Sequence, residues 1–145
     1  MIRVTVQHAA IDVAAELATI EAAGAGAVAS FTGLVRDDGG VTRLELEHYP
    51  GMTEAALQAL AEGAVARWGL LAATVVHRVG PMAVGERIVF VGTAAAHRSA
   101  ALEACAYLID RLKADAPFWK RELRGDDARW VDAREADGAA AGQWG

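Results

Sequence analysis

The chain has 145 residues, 54% of them hydrophobic, and a formal net charge of −5 at neutral pH. A chain of that length fits one domain and can bury roughly 68–70% of its unfolded surface, so a proper core is expected. The acidic balance argues against a protein that works by neutralising nucleic-acid phosphates or coating an anionic membrane, and no run reaches the roughly 18 apolar residues of a membrane helix.

In chain order, "IRVTVQ" alternates apolar and polar residues and predicts a first strand. The N-terminus shows no basic segment followed by an apolar block and a cleavage site, so no export signal is expected. Asp12 is placed to cap a helix running to about Ala23, which "GAG" at Gly24 to Gly26 ends. These glycines follow a helix and open a strand, the reverse of a dinucleotide-binding loop, so they are read as a terminator.

"AVASFTGLVR" and "TRLELEHY" read as a pair of strands joined by the turn-rich "DDGG". Thr53 is placed to cap a second helix through about Trp68. The β-branched runs "ATVVHRVG" and "ERIVFVGTAA" predict two more strands, around Gly80-Pro81 and Gly85. A third helix is expected from His97 to Ser99 onward to about Ala114, because Ala101, Leu102, Cys105, Leu108, Ile109 and Leu112 recur at three- and four-residue spacing. Pro117 stops it by pushing the preceding residue out of helical geometry.

"FWKREL" and "ARWV" then predict two short strands flanking "RGDD". The small, polar run "EADGAAAGQWG" predicts a mobile C-terminal tail, placed at 134–145, on a single domain spanning 1–145. Three helices interspersed with hairpins favour an α+β fold with an antiparallel or mixed sheet over a doubly wound parallel one.

Chemistry-bearing residues are few. His8, His48, His77, His97 and Cys105 lack metal-ligand spacing, so no metal site is expected. Cys105, the lone cysteine, sits on an apolar helical stripe and reads as a core residue; with no disulfide available, a reducing cytoplasm is the natural compartment. "AHRSA" sets His97 and Arg98 where a strand gives way to a helix, either an anion site on free backbone N–H groups or a plain polar helix start. Arg36, at a strand end, can fork onto a phosphate or pair with Asp37 or Asp38.

Charge is also uneven: six basic and four acidic residues lie between His97 and Arg124 on an otherwise acidic chain. Within that segment stand Lys113 and Lys120, the only two lysines, against twelve arginines. Lys113 has a sufficient structural reason in the helix C-terminus. Lys120 lies beyond Pro117, and a turn there can bring both amines toward one space. Arginine stays charged, whereas a lysine that is desolvated or near another cation can lose its proton and act as acid, base or nucleophile. Chance in an arginine-biased composition is the other reading.

"LEHYPGMTE", "ERIVFVG", "AHRSA", "APFWKRE" and "RWVDARE", in this order and spacing, closely resemble the large, catalytic subunit of molybdopterin synthase. The resemblance runs from about "VASFTGLVR" to "RWVDARE". It implies an α/β-hammerhead fold, a homodimer, and a heterotetramer with a small ubiquitin-like sulfur-carrier subunit. The carrier's C-terminal Gly-Gly thiocarboxylate would enter a pocket and deliver sulfur, one atom per carrier, onto cyclic pyranopterin monophosphate. No cofactor is implied, since the metal is inserted later by other proteins.

Residue by residue, the resemblance implies that Lys113 orients the thiocarboxylate and moves a proton, and that Lys120 gives acid–base help as the cyclic phosphate opens. Arg36, His97 and Arg98 would hold the pterin and its phosphate. Arg121 and Glu122 continue the lysine motif, with Glu122 able to pair with a basic neighbour, and Arg134 would reach the pocket across the dimer. Some relatives carry lysine where this chain has Leu34, and the turn after Arg36 is short and acidic. A non-catalytic module docking the same tail or pterin is the alternative, although a pure docking surface could use arginine throughout; a second is an unrelated phosphate-binding enzyme using Arg36, His97 and Arg98 alone, which would leave the lysines without a role.

Overall fold

The computed structural model describes residues 1–37, 39–124 and 144, together with the backbone of 127–131. The elements are β1 (Ile2–Gln7), α1 (Val13–Glu21), β2 (Ala27–Leu34), β3 (Arg43–His48), α2 (Met52–Trp68), β4 (Ala72–Arg78), β5 (Gly80–Ala83), β6 (Arg87–Ala95), α3 (Arg98–Asp115), β7 (Phe118–Arg124) and β8 (Asp127–Val131). They build an α+β fold with two four-stranded sheets, ordered β1-β4-β6-β2 and β5-β3-β7-β8. The first sheet is mixed, β1 running parallel to β4, and the second is antiparallel throughout.

The continuous apolar runs in β4 and β6 follow from burial on both faces. On one face α1 seals Ile20 against Phe90, Val76 and Ala94. On the other, α2 covers β1 and β4 while α3 covers β2 and β6. The alanine-rich composition finds its use there: Ala61, Ala64, Ala73, Ala101 and Ala104 are all buried where helices meet each other and the sheet. Leu57 and Leu108, with almost no exposed surface, each contribute about 1.5–3 kcal/mol by leaving water.

Asp12 caps α1 as expected, its Oδ1 accepting from the Ala15 N–H at 3.1 Å. The expected pairing of the strands around "DDGG" does not occur. A register irregularity between Gly33 and Leu34, followed by the Val35 N–H donating to the Glu86 carbonyl at 2.9 Å, keeps the end of β2 on β6. β3 crosses to the second sheet, where Leu44 and Leu46 bury one face only. The sequence reading also misses β5. Gly80, at φ 88, turns the chain out of the first sheet, and Pro81, which has no N–H to donate, is tolerated because β5 is an edge.

Thr53 does not cap α2. Gly51 holds the cap position at φ 86, with its N–H donating to Glu54 Oε1 at 2.9 Å. Thr53 is instead fully buried, accepting from the Tyr49 N–H at 3.0 Å and donating from Oγ1 to the Pro117 carbonyl at 2.8 Å. A hydroxyl that local pattern assigns to a helix cap thus ties the start of α2 to the junction between α3 and β7.

Gly26 packs against the chain just before α3, where an added Cβ would stand 2.3 Å from the Ala96 backbone oxygen. Gly26→Ala is therefore expected to cost about 1–3 kcal/mol, read as a lower denaturant midpoint, because backbone rather than a flexible side chain must give way. Among the described residues no helix is long and apolar enough to cross a membrane.

Candidate active site

Lys113 lies in the last turn of α3, which ends at Ala116 in extended backbone before Pro117. The Thr53 hydroxyl holds the Pro117 carbonyl, and β7 starts at the next residue. Along β7, Phe118, Lys120 and Glu122 lie opposite His48, Leu46 and Leu44 of β3. Leu44 and Leu46 are buried, so this is the face turned toward the core, and Lys120 and Glu122 are partly covered on it.

Phe118 stacks on His77 of β4, ring centroids 4.0 Å apart and 25° from parallel. The positive charge of Lys113 is felt at His77, and Lys120 is two residues beyond Phe118 on the same face, about 7 Å along the strand. Lys113 thus ends the helix before this stacked pair, and Lys120 follows it on the inner face of β7. The turn at Pro117 leads from the last turn of α3 directly onto the inner face of β7.

His77 is the group that sequence reasoning passed over. Its signal was present, a titratable residue inside a fully buried strand. Burial pushes it down from 6.5 to about 4, with the Lys113 charge acting in the same direction and the Arg78 carbonyl opposing. Nδ1 lies 2.9 Å from that carbonyl, which can only accept, so Nδ1 carries the proton. The ring is neutral at physiological pH and adds no charge between the lysines.

Because the unfolded chain takes up a proton on falling through about 6.5 while the folded chain waits until about 4, this contribution is complete above 6.5 and lost as pH falls between those values. The expected loss is roughly 3 kcal/mol. Urea unfolding at pH 7.5 and pH 4.5 measures it, and His77→Phe is expected to remove that part of the slope.

Arg121 points to the other face of β7 and is ion-paired there with Glu45 of β3. On that outer face Trp119, half exposed, lies 5.7 Å from the Tyr49 ring. Glu122, by contrast, shares the inner face with Lys120, and its side chain accepts from Arg124 Nη2 at 3.4 Å. The structure thus joins Glu122 to the lysines and separates Arg121 from them by the pleat of the strand.

His97 is the N-cap residue of α3, in extended backbone with no side-chain cap bond, and Arg98 is the first helical residue; both are exposed. Sixteen residues of helix separate His97 from Lys113, about 24 Å. β2 runs in the direction of α3, from Ala27 beside Ala95 to Leu34 beside Arg87, so Arg36 stands at the lysine end. Within one chain, Arg36, Lys113 and Lys120 gather at one end of the first sheet while His97 and Arg98 sit at the other. Arg134 and nearly all of the expected tail, Trp144 excepted, lie outside the described residues.

Cys105 is buried against Val91, its thiol pushed up to about 11 by that burial, which makes it a core residue and a poor nucleophile.

The family model described as MoaE protein matches residues 6–115, a span that holds Arg36, His97, Arg98 and Lys113 and stops short of Lys120. A relative from Cereibacter sphaeroides named molybdopterin synthase catalytic subunit is 52% identical over 145 residues, covering 98% of this chain and 99% of its own length, and so reaches past Lys120. The structure is similar to that of the molybdopterin biosynthesis MoaE protein from Burkholderia ambifaria MC40-6, with a TM-score of 0.87 and 45% identity over 99% of this chain and 98% of that one. It is also similar to molybdopterin synthase from Staphylococcus aureus, with a TM-score of 0.81 and 30% identity over 88% and 95% of the two chains. With the family model matching residues 6–115 and a relative agreeing over almost the full length, the chain belongs to the MoaE protein family.

Proposed function

We propose that this chain is the catalytic subunit of a molybdopterin synthase. It moves sulfur from the C-terminal Gly-Gly thiocarboxylate of a small ubiquitin-like carrier onto cyclic pyranopterin monophosphate, building the dithiolene of molybdopterin. In a chain of this family, the observation that carries the reading is the placement of Lys113 in the last turn of α3 and Lys120 on the inner face of β7, on either side of the Pro117 turn and of Phe118, which stacks on His77.

Lys113 offers an ammonium to the thiocarboxylate anion and orients its sulfur toward the pterin. In each transfer a carbon–sulfur bond to the pterin forms as a carbon–oxygen bond there breaks, the phosphate oxygen departing in one transfer and the other oxygen leaving as water in the second; water then cleaves the acyl–sulfur bond, and the carrier leaves as a carboxylate. Lys120 gives a proton to the oxygen that departs when the cyclic phosphate opens. The neutral His77 ring leaves proton transfer to the amines, while Phe118 supplies a flat apolar wall against which the carrier tail and pterin can lie. Glu122, paired with Arg124, props the inner wall, and Arg121 with Glu45 braces the same strand from outside.

Arg36 forks onto the phosphate beside the lysines. His97 and Arg98 are about 24 Å from Lys113 in the same chain, so they serve the pocket of a second copy. The active form is then a homodimer carrying two carriers, each pocket drawing on both copies, with Arg134 as a further cross-dimer contributor. We place this chemistry in the cytoplasm, where Cys105 stays reduced.

The test is to mix the purified chain with a thiocarboxylated carrier and cyclic pyranopterin monophosphate and measure molybdopterin. Formation of product is expected. Tight binding of carrier and pterin with no product would instead identify a docking module.

A further inference from the structure

We propose that Arg78 and Glu86 are positioning residues for Arg36. Together they lock the turn that holds the backbone of Val35 and so fix where Arg36 is presented, a role that rests on the reading above, in which Arg36 takes the pterin phosphate.

Arg36 is exposed and lies beyond the last residue of β2, after the irregularity between Gly33 and Leu34. Downstream, Gly40 donates its N–H to Asp37 Oδ1 at 3.2 Å, a bond internal to an exposed turn. A phosphate fork needs its base held still, and a segment outside the strands does not supply that by itself. The tie to the rest of the fold is one residue upstream. Val35 is buried, donates its N–H to the Glu86 carbonyl at 2.9 Å, and accepts the Gly85 N–H on its own carbonyl at 2.8 Å. The second of these bonds is to the planar peptide group that joins Val35 to Arg36.

The turn that supplies both bonds is exposed and passes through Gly85 at φ 92. Glu86 closes it. Its N–H donates to the Ala83 carbonyl at 3.1 Å, and its carboxylate Oε2 accepts the Ala83 N–H. Its Oε1 accepts from Arg78 Nη1 at 3.2 Å. The Ala83 N–H first, then Arg78, hold this carboxyl below the usual carboxylate range, so it is ionised at neutral pH.

Arg78 ends β4, a strand buried along its whole length, and its Nε and Nη2 reach the His8 carbonyl at 3.2 and 2.9 Å. A guanidinium is costly to bury, and an apolar side chain would fill this position without that cost. What the arginine adds is a planar fork of fixed direction. It ties the segment after β1 to the turn between β5 and β6, and that turn carries Val35. Buried, with Nε, Nη1 and Nη2 all bonded within the chain, Arg78 acts through Glu86 rather than on a ligand.

Calorimetric binding of cyclic pyranopterin monophosphate, without carrier, separates this role from simple stability. Glu86→Ala is expected to weaken binding about tenfold, with KM rising by the same factor and kcat nearly unchanged. Arg36→Ala is expected to weaken it at least as much. Adding Glu86→Ala to Arg36→Ala is expected to change affinity no further, because no guanidinium is then left to place. Glu86→Gln, whose amide oxygen keeps one acceptor, is expected to recover part of the affinity. Arg78→Met is expected to repeat the Glu86→Ala pattern; where it fails to fold, the Glu86 variants carry the test.

Amide exchange gives a readout that needs no substrate. Glu86→Ala is expected to speed exchange at Val35 and leave Val75 and Val91 in the core as in wild type. Full affinity in Glu86→Ala, a loss that adds in full to that of Arg36→Ala, or unchanged exchange at Val35 would overturn the assignment. Pterin binding by the wild type with unchanged Val35 exchange in Glu86→Ala sinks only the positioning pair. A wild type that binds no pterin, alongside faster Val35 exchange in Glu86→Ala, sinks the functional reading and leaves the hold on Val35 standing.

Discussion

Replacing Lys120 with alanine is expected to lower molybdopterin formation by ~10²–10⁴-fold, the usual range for a positioned acid–base group, and Lys113→Ala by a similar factor. Neither change should unfold the chain. Lys113 is exposed in the last turn of α3, and Lys120 is only partly covered on β7, so each replacement removes a charge from a rim rather than from the core. Thermal midpoints within a few degrees of wild type, alongside lost turnover, are the expected pair of observations.

Arginine at either position separates charge from proton transfer. Lys120→Arg keeps a cation near the phosphate but holds its proton at every working pH, so it is expected to retain substrate binding and not restore turnover. Lys113→Arg is expected to recover part of the activity if orienting the thiocarboxylate is its main task. Full activity in Lys120→Arg would remove Lys120 from acid–base chemistry and leave it a binding role.

The second large effect is a gain. Chains carrying Lys120→Ala and chains carrying Arg98→Ala are each expected to be nearly inactive, yet their mixture should recover activity. In a mixed dimer, one pocket receives both defects and the other receives neither. Random reassociation makes half of the dimers mixed, so about one quarter of wild-type activity is expected from the mixture. Arg134→Ala in place of Arg98→Ala extends the same test to the cross-dimer role proposed for that residue. No recovery after verified subunit exchange would mean that each chain carries its own complete pocket, contrary to the separation of His97 and Lys113 along α3.

These expectations draw on the sequence and the fold unequally. The two lysines were conspicuous by composition alone, and Pro117 already marked a turn between them. The residues that hold this segment in place were less visible. His77 sits in a largely apolar run between Val76 and Arg78, and nothing local shows that its ring meets Phe118, 41 residues later. Thr53 has the composition of a helix cap, and its bond to the Pro117 carbonyl spans 64 residues. Arg121 and Glu122 are neighbours in one motif, yet the pleat of β7 sends one to Glu45 outside and the other to the lysine face.

The sequence by itself determined the three helices, the helix stop before the second lysine and the residue types of the chemistry. Capping, periodicity and proline geometry act over a few residues, so they are legible wherever they occur. Only the tertiary structure decided which strands pair, why β2 and β3 part into different sheets, and that Arg36 joins the lysines while His97 and Arg98 do not. Strand pairing is settled by burial and register against partners far along the chain, and a strand read alone carries its own pattern but not its partner's.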